Sequence, residues 1–253
     1  MPFTPAHTAI VLPFINRRRF SATALIAGSV APDFEYFFKM SVNSEHSHTL
    51  PGLFYFNLPV VVFLSFVFHL VVKRNLLQNC PAFIQKRFYP LMQLNFRGYV
   101  RQNLWIFILS ALVGAASHIF WDAFTHGKGF FVQHLWFYPG RYVPFDGVNY
   151  PLWYALQHIS TAVGLVIVTL YIVLKKPIES AQIYKPGWVY WIVFLAVASA
   201  AYAMRFWIAP DDFMLGNAVV TSISGICIAL IVCGFLPQRP SKNSTRIKSI
   251  PAV

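Results

Sequence analysis

The chain has 253 residues, of which 57% are hydrophobic, 17% aromatic and 11% charged, with a mean hydropathy of +0.55. Soluble domains carry about 25% charged residues, so this composition excludes an ordinary water-soluble globule and indicates a membrane protein. The net charge of +12 has no basic and aromatic platform beside it, which argues against nucleic-acid binding.

In chain order, Pro5 to Ile15 and Ser21 to Val30 read as the arms of a helical hairpin with Arg17, Arg18 and Arg19 at its tip. Each arm has about ten residues, or roughly 15 Å of helix, too short to cross a bilayer alone. Ser21 suits the N-cap of the second arm, and Ala31-Pro32-Asp33 its stop, with Asp33 capping the next helix. The alternative is a sixth, weakly hydrophobic span over Ser21 to Phe38. No basic residue precedes the first apolar stretch, which Pro2, Pro5 and Pro13 interrupt, so a cleaved signal peptide is not expected. A polar loop with His46 and His48 closes this N-terminal region, residues 1–52.

Five runs then reach the length a bilayer demands, about 20 apolar residues. They are Leu53 to Val72, Leu104 to Phe124, Leu156 to Leu174, Gly187 to Ile208 and Met214 to Phe235. Uninterrupted apolar runs do not resemble barrel strands, so the predicted fold is all-α: a polytopic membrane bundle of about five helices over residues 53–236, preceded by the hairpin. Residues 237–253 form a basic, Pro- and Ser-containing tail, expected to be disordered. Three cysteines, two of them in the last span, support neither a disulfide framework nor a cysteine-based zinc site.

The basic residues gather between the first and second spans (Lys73, Arg74, Lys86, Arg87, Arg97, Arg101), between the third and fourth (Lys175, Lys176, Lys185), and in the tail. The positive-inside rule makes that side cytoplasmic and predicts a multi-pass protein of the inner (plasma) membrane. Thr125 to Ala155 then faces the extracytoplasmic side. The arginines at 17–19 run against this orientation unless they sit at a hairpin tip.

His118, Asp122 and His126 stand four residues apart at the end of the second apolar run, on roughly one helix face. An ionisable residue at membrane depth is costly to bury unpaired and marks a candidate functional site. With His7, Asp33, His48 and His158 these residues could line one cavity at the extracytoplasmic end. Imidazole nitrogen with carboxylate oxygen is a ligand set for zinc and related first-row metals. A divalent cation held there would acidify a water able to attack a phosphoester. Asp122 and Arg141 are the catalytic candidates, Arg141 for the bidentate contact it can offer a phosphate. The plainer readings are that His118 and Asp122 only bond one another and neighbouring helices, that Asp33 is only an N-cap, and that Arg141 is a lipid anchor. Of His46 and His48, His48 is the candidate because it leads straight into the first span. His69 reads as an interfacial residue and His134 as part of an aromatic belt, while Arg205 is placed to pair with Asp211 or Asp212.

The blocks MPFTPAHTAIVLP, GSVAPDFEYF, HSHTLPG, GAASHIFWDAFTHG and LQHIST together resemble a bacterial integral-membrane family known only as a domain of unknown function, over residues 1 to about 165. More distantly, the order of His, Asp, His, HxxxD, His and His is similar to predicted membrane-bound metal-dependent hydrolases and to zinc-dependent phospholipase C. That resemblance implies metal roles for His7, Asp33, His48, His118, Asp122, His126 and His158. The phospholipase pattern ends in HxxxE, whereas Ala162 follows His158 here, so a one- or two-metal centre is expected. The expected function is a metal-dependent hydrolase, with zinc as the expected metal, acting on a lipid or lipid-linked phosphoester at the outer leaflet. The alternatives are a membrane protein whose His/Asp cluster is a structural hydrogen-bond network, or a small-solute transporter. A transporter calls for broken helices or polar residues through the midplane, of which the last two spans offer little.

Overall fold

The computed structural model describes residues 3–238, so the predicted tail lies outside the described residues from Arg239 onward. Helices dominate. Ser21 caps α1 (Ala22–Val30), its hydroxyl accepting from the Ala24 amide. A tight turn at Ala31–Asp33 leads into α2 (Phe34–Lys39). The long α3 (Leu53–Asn79) contains two wider π-helical turns, Leu53–Asn57 and Phe68–Val72. Then follow α4 (Ala82–Gln93), α5 (Phe96–Gln102), α6 (Leu104–Thr125), α7 (Leu152–Leu174), α8 (Trp188–Ile208) and α9 (Leu215–Gly234). α3, α6, α7, α8 and α9 are long and apolar enough to cross a bilayer, which makes the chain a multi-pass membrane protein. α7 begins one turn earlier than its apolar run suggests, because Leu152 and Trp153 continue the helix to the end of the preceding strand.

One element departs from the all-helical expectation. Tyr142–Phe145 (β1) and Val148–Pro151 (β2) pair antiparallel, with Phe145 opposite Val148 and Tyr142 opposite Pro151. The turn between them is Asp146-Gly147, both at positive φ (48° and 74°), which is the backbone a two-residue hairpin turn requires and Asp-Gly tolerates.

The chain forms two compact units that alternate along the sequence. The first comprises Met1–Asp33, Glu45–Val61 and Trp105–Leu174; the second, Phe34–Ser44, Val62–Leu104 and Lys175–Val253. In the first, α1 and α6 approach so closely that a Cβ at Gly28 would meet the Ala111 carbonyl oxygen at 2.5 Å, and one at Gly114 would strike the Leu25 carbonyl. Small residues permit this contact, the usual device of helix pairing in lipid. Ser110 of α6 also accepts the Ser21 amide at 2.9 Å. The N-terminal turn Thr4–His7 lies against α7, where Gly164 leaves room for Ala6 and the Thr161 hydroxyl accepts the Phe3 amide at 3.1 Å. Arg17, Arg18 and Arg19 are exposed in the turn before α1, as a hairpin tip requires.

In the second unit α8 and α9 run against each other, with Gly225 facing the Ala198 carbonyl. Asn75 donates to the carbonyls of Cys233, Gly234 and Leu236 at 2.8–3.1 Å, satisfying acceptors left open at the end of α9. Arg205 pairs with Asp212 at 2.7 Å. His69 is buried, because α5 folds back over its π-helical turn and Phe96 stacks on the imidazole with ring centroids 3.9 Å apart.

The crossing of α1 and α6 should not tolerate a larger residue. Gly114→Val is expected to destabilise the detergent-solubilised protein by about 1–3 kcal/mol, the common cost of overpacking. Denaturant or thermal unfolding reads this directly, and an unchanged midpoint would mean the helices have room to spare.

Candidate metal centre

The two turns of helix that carry His118 and Asp122 place both side chains on the face of α6 turned toward α1, because four residues are close to one helical repeat. Asp33 arrives from the tight turn that ends α1, and His7 from the end of the N-terminal turn. His48 comes from the loop ahead of α3. His7, Asp33, His118 and Asp122 are buried, and His48 is partly so.

Their donor atoms have a regular spacing. His48 Nε2 lies 3.6 Å from Asp33 Oδ1 and 3.5 Å from Asp122 Oδ2. His118 Nε2 lies 3.5 Å from Asp33 Oδ1 and 3.3 Å from Asp122 Oδ2. Asp33, His48 and His118 offer ligand atoms that all lie within 4.8 Å of one another, as do His7, His118 and Asp122. Hydrogen bonds of this type fall at about 2.7–3.2 Å, whereas two ligands at about 2.0–2.1 Å from one tetrahedral cation stand about 3.4 Å apart. His118 Nε2 and Asp33 Oδ1 make no hydrogen bond despite full burial, a costly state for such atoms unless something else binds them. The donor set is one that could hold a divalent cation.

The second oxygen of Asp122 extends the cluster. Oδ1 stands 3.4 Å from His7 Nε2 and 3.4 Å from His126 Nδ1. His7 stacks on His118 with ring centroids 3.8 Å apart and meets the Trp121 edge. His126 is the weakest member, since its Nδ1 also lies 3.2 Å from the Asp122 backbone carbonyl, which can take that nitrogen's proton.

Three of the inner donors are fixed from behind. Thr4 Oγ1 donates to Asp33 Oδ2, leaving Oδ1 for the cluster. His118 Nδ1 donates to the Ser29 carbonyl at 2.8 Å, which sets the ring so that Nε2 points inward. Ser47 Oγ lies 2.9 Å from His48 Nδ1, and Asn57 Nδ2 donates to the Ser47 carbonyl at 2.7 Å. Asn57 belongs to the first π-helical turn of α3, an irregularity often found near functional groups.

Charge states follow the surroundings. Burial, reinforced by neighbouring His118, pushes His7 down to about 3, so its ring is neutral. Burial would push Asp33 up, but His118 and His48 outweigh it and hold the carboxyl well below the usual carboxylate range. For His48, burial lowers proton affinity, yet contacts with Asp122 and Asp33 leave it raised above the ordinary imidazole value.

Two predicted site residues are not brought to the cluster. His158 is exposed on α7 with its ring against Tyr154. The inward stripe of that helix is Gln157, Thr161 and Gly164, and one residue is about 100° of rotation away. Arg141 is exposed at the base of the β-hairpin, its backbone bonded to Tyr138 and Leu152. His46 bonds Tyr55 and His134 lies on Phe130, so neither joins the donors. Ser29, Ser47, Thr4 and Asn57 were not singled out in the sequence, where isolated Ser, Thr and Asn carry no signal of their partners.

A family model described as a domain of unknown function, DUF4184, matches residues 1–235. The chain belongs to this family. The residues of the His/Asp cluster, from His7 to His126, all lie within the matched region. No curated protein and no solved structure matches the chain.

Two substitutions separate the inner donors from the outlying histidine. Ser47→Ala should weaken binding of a divalent cation about tenfold, the low end for losing a ligand's supporting bond. His158→Ala should leave it unchanged. Chelator competition on the purified protein measures both, and a His158 effect as large as that of His118→Ala would contradict the geometry.

Proposed function

We propose that this membrane protein is a metal-dependent hydrolase of phosphoesters carried by lipids or lipid-linked molecules. The observation that carries this reading is the set Asp33, His48, His118 and Asp122, three of them buried, whose donor atoms stand 3.3–3.6 Å apart. A cation bound among them would polarise a phosphoryl oxygen and acidify a water; zinc suits the nitrogen and oxygen donors.

The chain's own residues supply the rest. His118 and Asp33 form the closed floor, with side chains 0% and 1% exposed, while His48 and His126 at 22% and 30% mark the open side through which water and substrate would enter. Asp122, reaching both donor groups with its two oxygens, holds them at a fixed separation. Net hydrolysis joins the water oxygen to phosphorus, breaks the phosphorus bond to the leaving oxygen, and returns a proton to that oxygen. The charge bias of the sequence supports an inner-membrane location with the centre on the extracytoplasmic side.

Elemental mass spectrometry of the detergent-purified protein is the direct test. Wild type is expected to hold one or two equivalents of zinc or manganese, with His118→Ala and Asp122→Ala losing most of it while remaining folded. A folded, metal-free wild type after dialysis against trace metal would leave the structural network as the better account.

Loading should also depend on pH. A cation must displace the proton that His48 binds more tightly than a free imidazole does, so occupancy is expected to rise as pH rises through about 6.5 and beyond, and to fall on acidification. Titrating zinc at a series of pH values checks the sign; a flat profile would exclude His48 as a ligand.

A further inference from the structure

The β-hairpin between α6 and α7 has no place in the chemistry above, and its two faces differ. Residues opposite one another in an antiparallel pair share a face, and neighbours along a strand alternate. The register therefore puts Val143, Phe145, Val148 and Tyr150 together on one face, and Tyr142, Pro144, Asn149 and Pro151 on the other. The first face is wholly apolar or aromatic. Tyr150 leans on Tyr154 of α7 with ring centroids 5.4 Å apart, but Phe145 is 72% exposed and Val148 49%. A lone two-stranded hairpin is marginal in water unless its apolar face is covered.

What covers it is indicated by where the hairpin is attached. β2 ends at Pro151 and α7, a membrane-spanning helix, starts at the next residue, so the strands emerge at the level where hydrocarbon meets headgroups. Trp136 is 82% exposed in the same connection, and Phe130 and Tyr142 are exposed nearby. Lys128 and Arg141 flank these aromatics and are exposed too. Aromatic side chains with adjoining cations are the composition of a membrane interface, cations meeting lipid phosphates and rings the acyl boundary.

We infer that the Val143, Phe145, Val148 and Tyr150 face of this hairpin lies in the bilayer interface, a lipid-inserted finger beside the entrance to the His/Asp cluster. The finger is tethered close to that entrance: the Trp153 ring packs where a Cβ on Gly127 would be 3.2 Å away, next to His126. Its backbone is fixed at the base, where the Leu152 amide donates to the Arg141 carbonyl at 3.0 Å. Insertion would set the height of lipid headgroups relative to the cluster, whatever that cluster does.

The test uses the full chain in phospholipid nanodiscs, with Cys80, Cys227 and Cys233 replaced by Ala and one nitroxide attached at a time. Labels go to Phe145→Cys on the apolar face, Asn149→Cys on the other, and Val166→Cys, exposed on α7, as a hydrocarbon reference. Collision with oxygen, enriched in lipid, is compared with collision with a water-soluble nickel chelate. Phe145 and Val166 are expected to favour oxygen several-fold, and Asn149 the nickel chelate. Nickel access at Phe145 equal to that at Asn149 overturns the proposal. So does protection of Phe145 from both reagents, which would mean that a second copy of the chain covers it. An aqueous reading at Val166 would remove the membrane assignment itself. None of these readings depends on a metal, so this proposal and the hydrolase reading fail separately.

Discussion

Two carboxylates, Asp33 and Asp122, are buried beside the same pair of imidazoles, and the first unit is organised around the cost of that placement. An ion moved from water into a low-dielectric interior loses several kcal/mol of solvation, and two like charges a few ångströms apart repel one another. One divalent cation with two carboxylates and neutral imidazoles sums to zero charge. The same cation would also satisfy His118 Nε2 and Asp33 Oδ1, which have no hydrogen-bond partner. The apolar character of the surrounding helices makes this compensation more necessary at the closed floor, where His118 and Asp33 are 0% and 1% exposed.

Burial of the donors is only half of the problem; they must also be aimed. Four segments far apart in sequence supply them, and each is restrained by a contact outside the cluster. Thr4 fixes Asp33, the α1 backbone fixes His118, and Asn57 acts through Ser47 on His48. The N-terminal turn that carries His7 is itself seated on α7 through Gly164 and Thr161. These bonds join the turn, α1, α6, α7 and the start of α3, so the site and the packing of the first unit are one arrangement.

Much of this was legible before the structure. Apolar runs of bilayer length gave the five spanning helices, and the four-residue spacing of His118, Asp122 and His126 gave a shared helix face. Ser21 and the Ala31-Pro32-Asp33 stop marked the ends of α1 because capping chemistry is local. Phase was harder: in an almost uniformly apolar helix such as α7, nothing in the pattern says whether Gln157 or His158 turns inward. The β-hairpin did have a signal, Asp146-Gly147 between alternating apolar residues, hidden inside a segment read as interhelical loop. The π-helical turns of α3 and the partners of Ser47 and Asn57 depend on tertiary contacts, which no single segment encodes.

The support for His118 is a main-chain oxygen, the Ser29 carbonyl, while the Ser29 hydroxyl turns back to Ile26. A main-chain acceptor cannot be deleted by point mutation. Every amino acid at position 29 offers the same oxygen, so a scan of the hydrogen-bonding partner itself would find it dispensable. What can move that oxygen is the distance between α1 and α6, which Gly28 and Gly114 set by direct backbone contact. Genetic sensitivity at this support is therefore displaced onto two residues with no side chain at all.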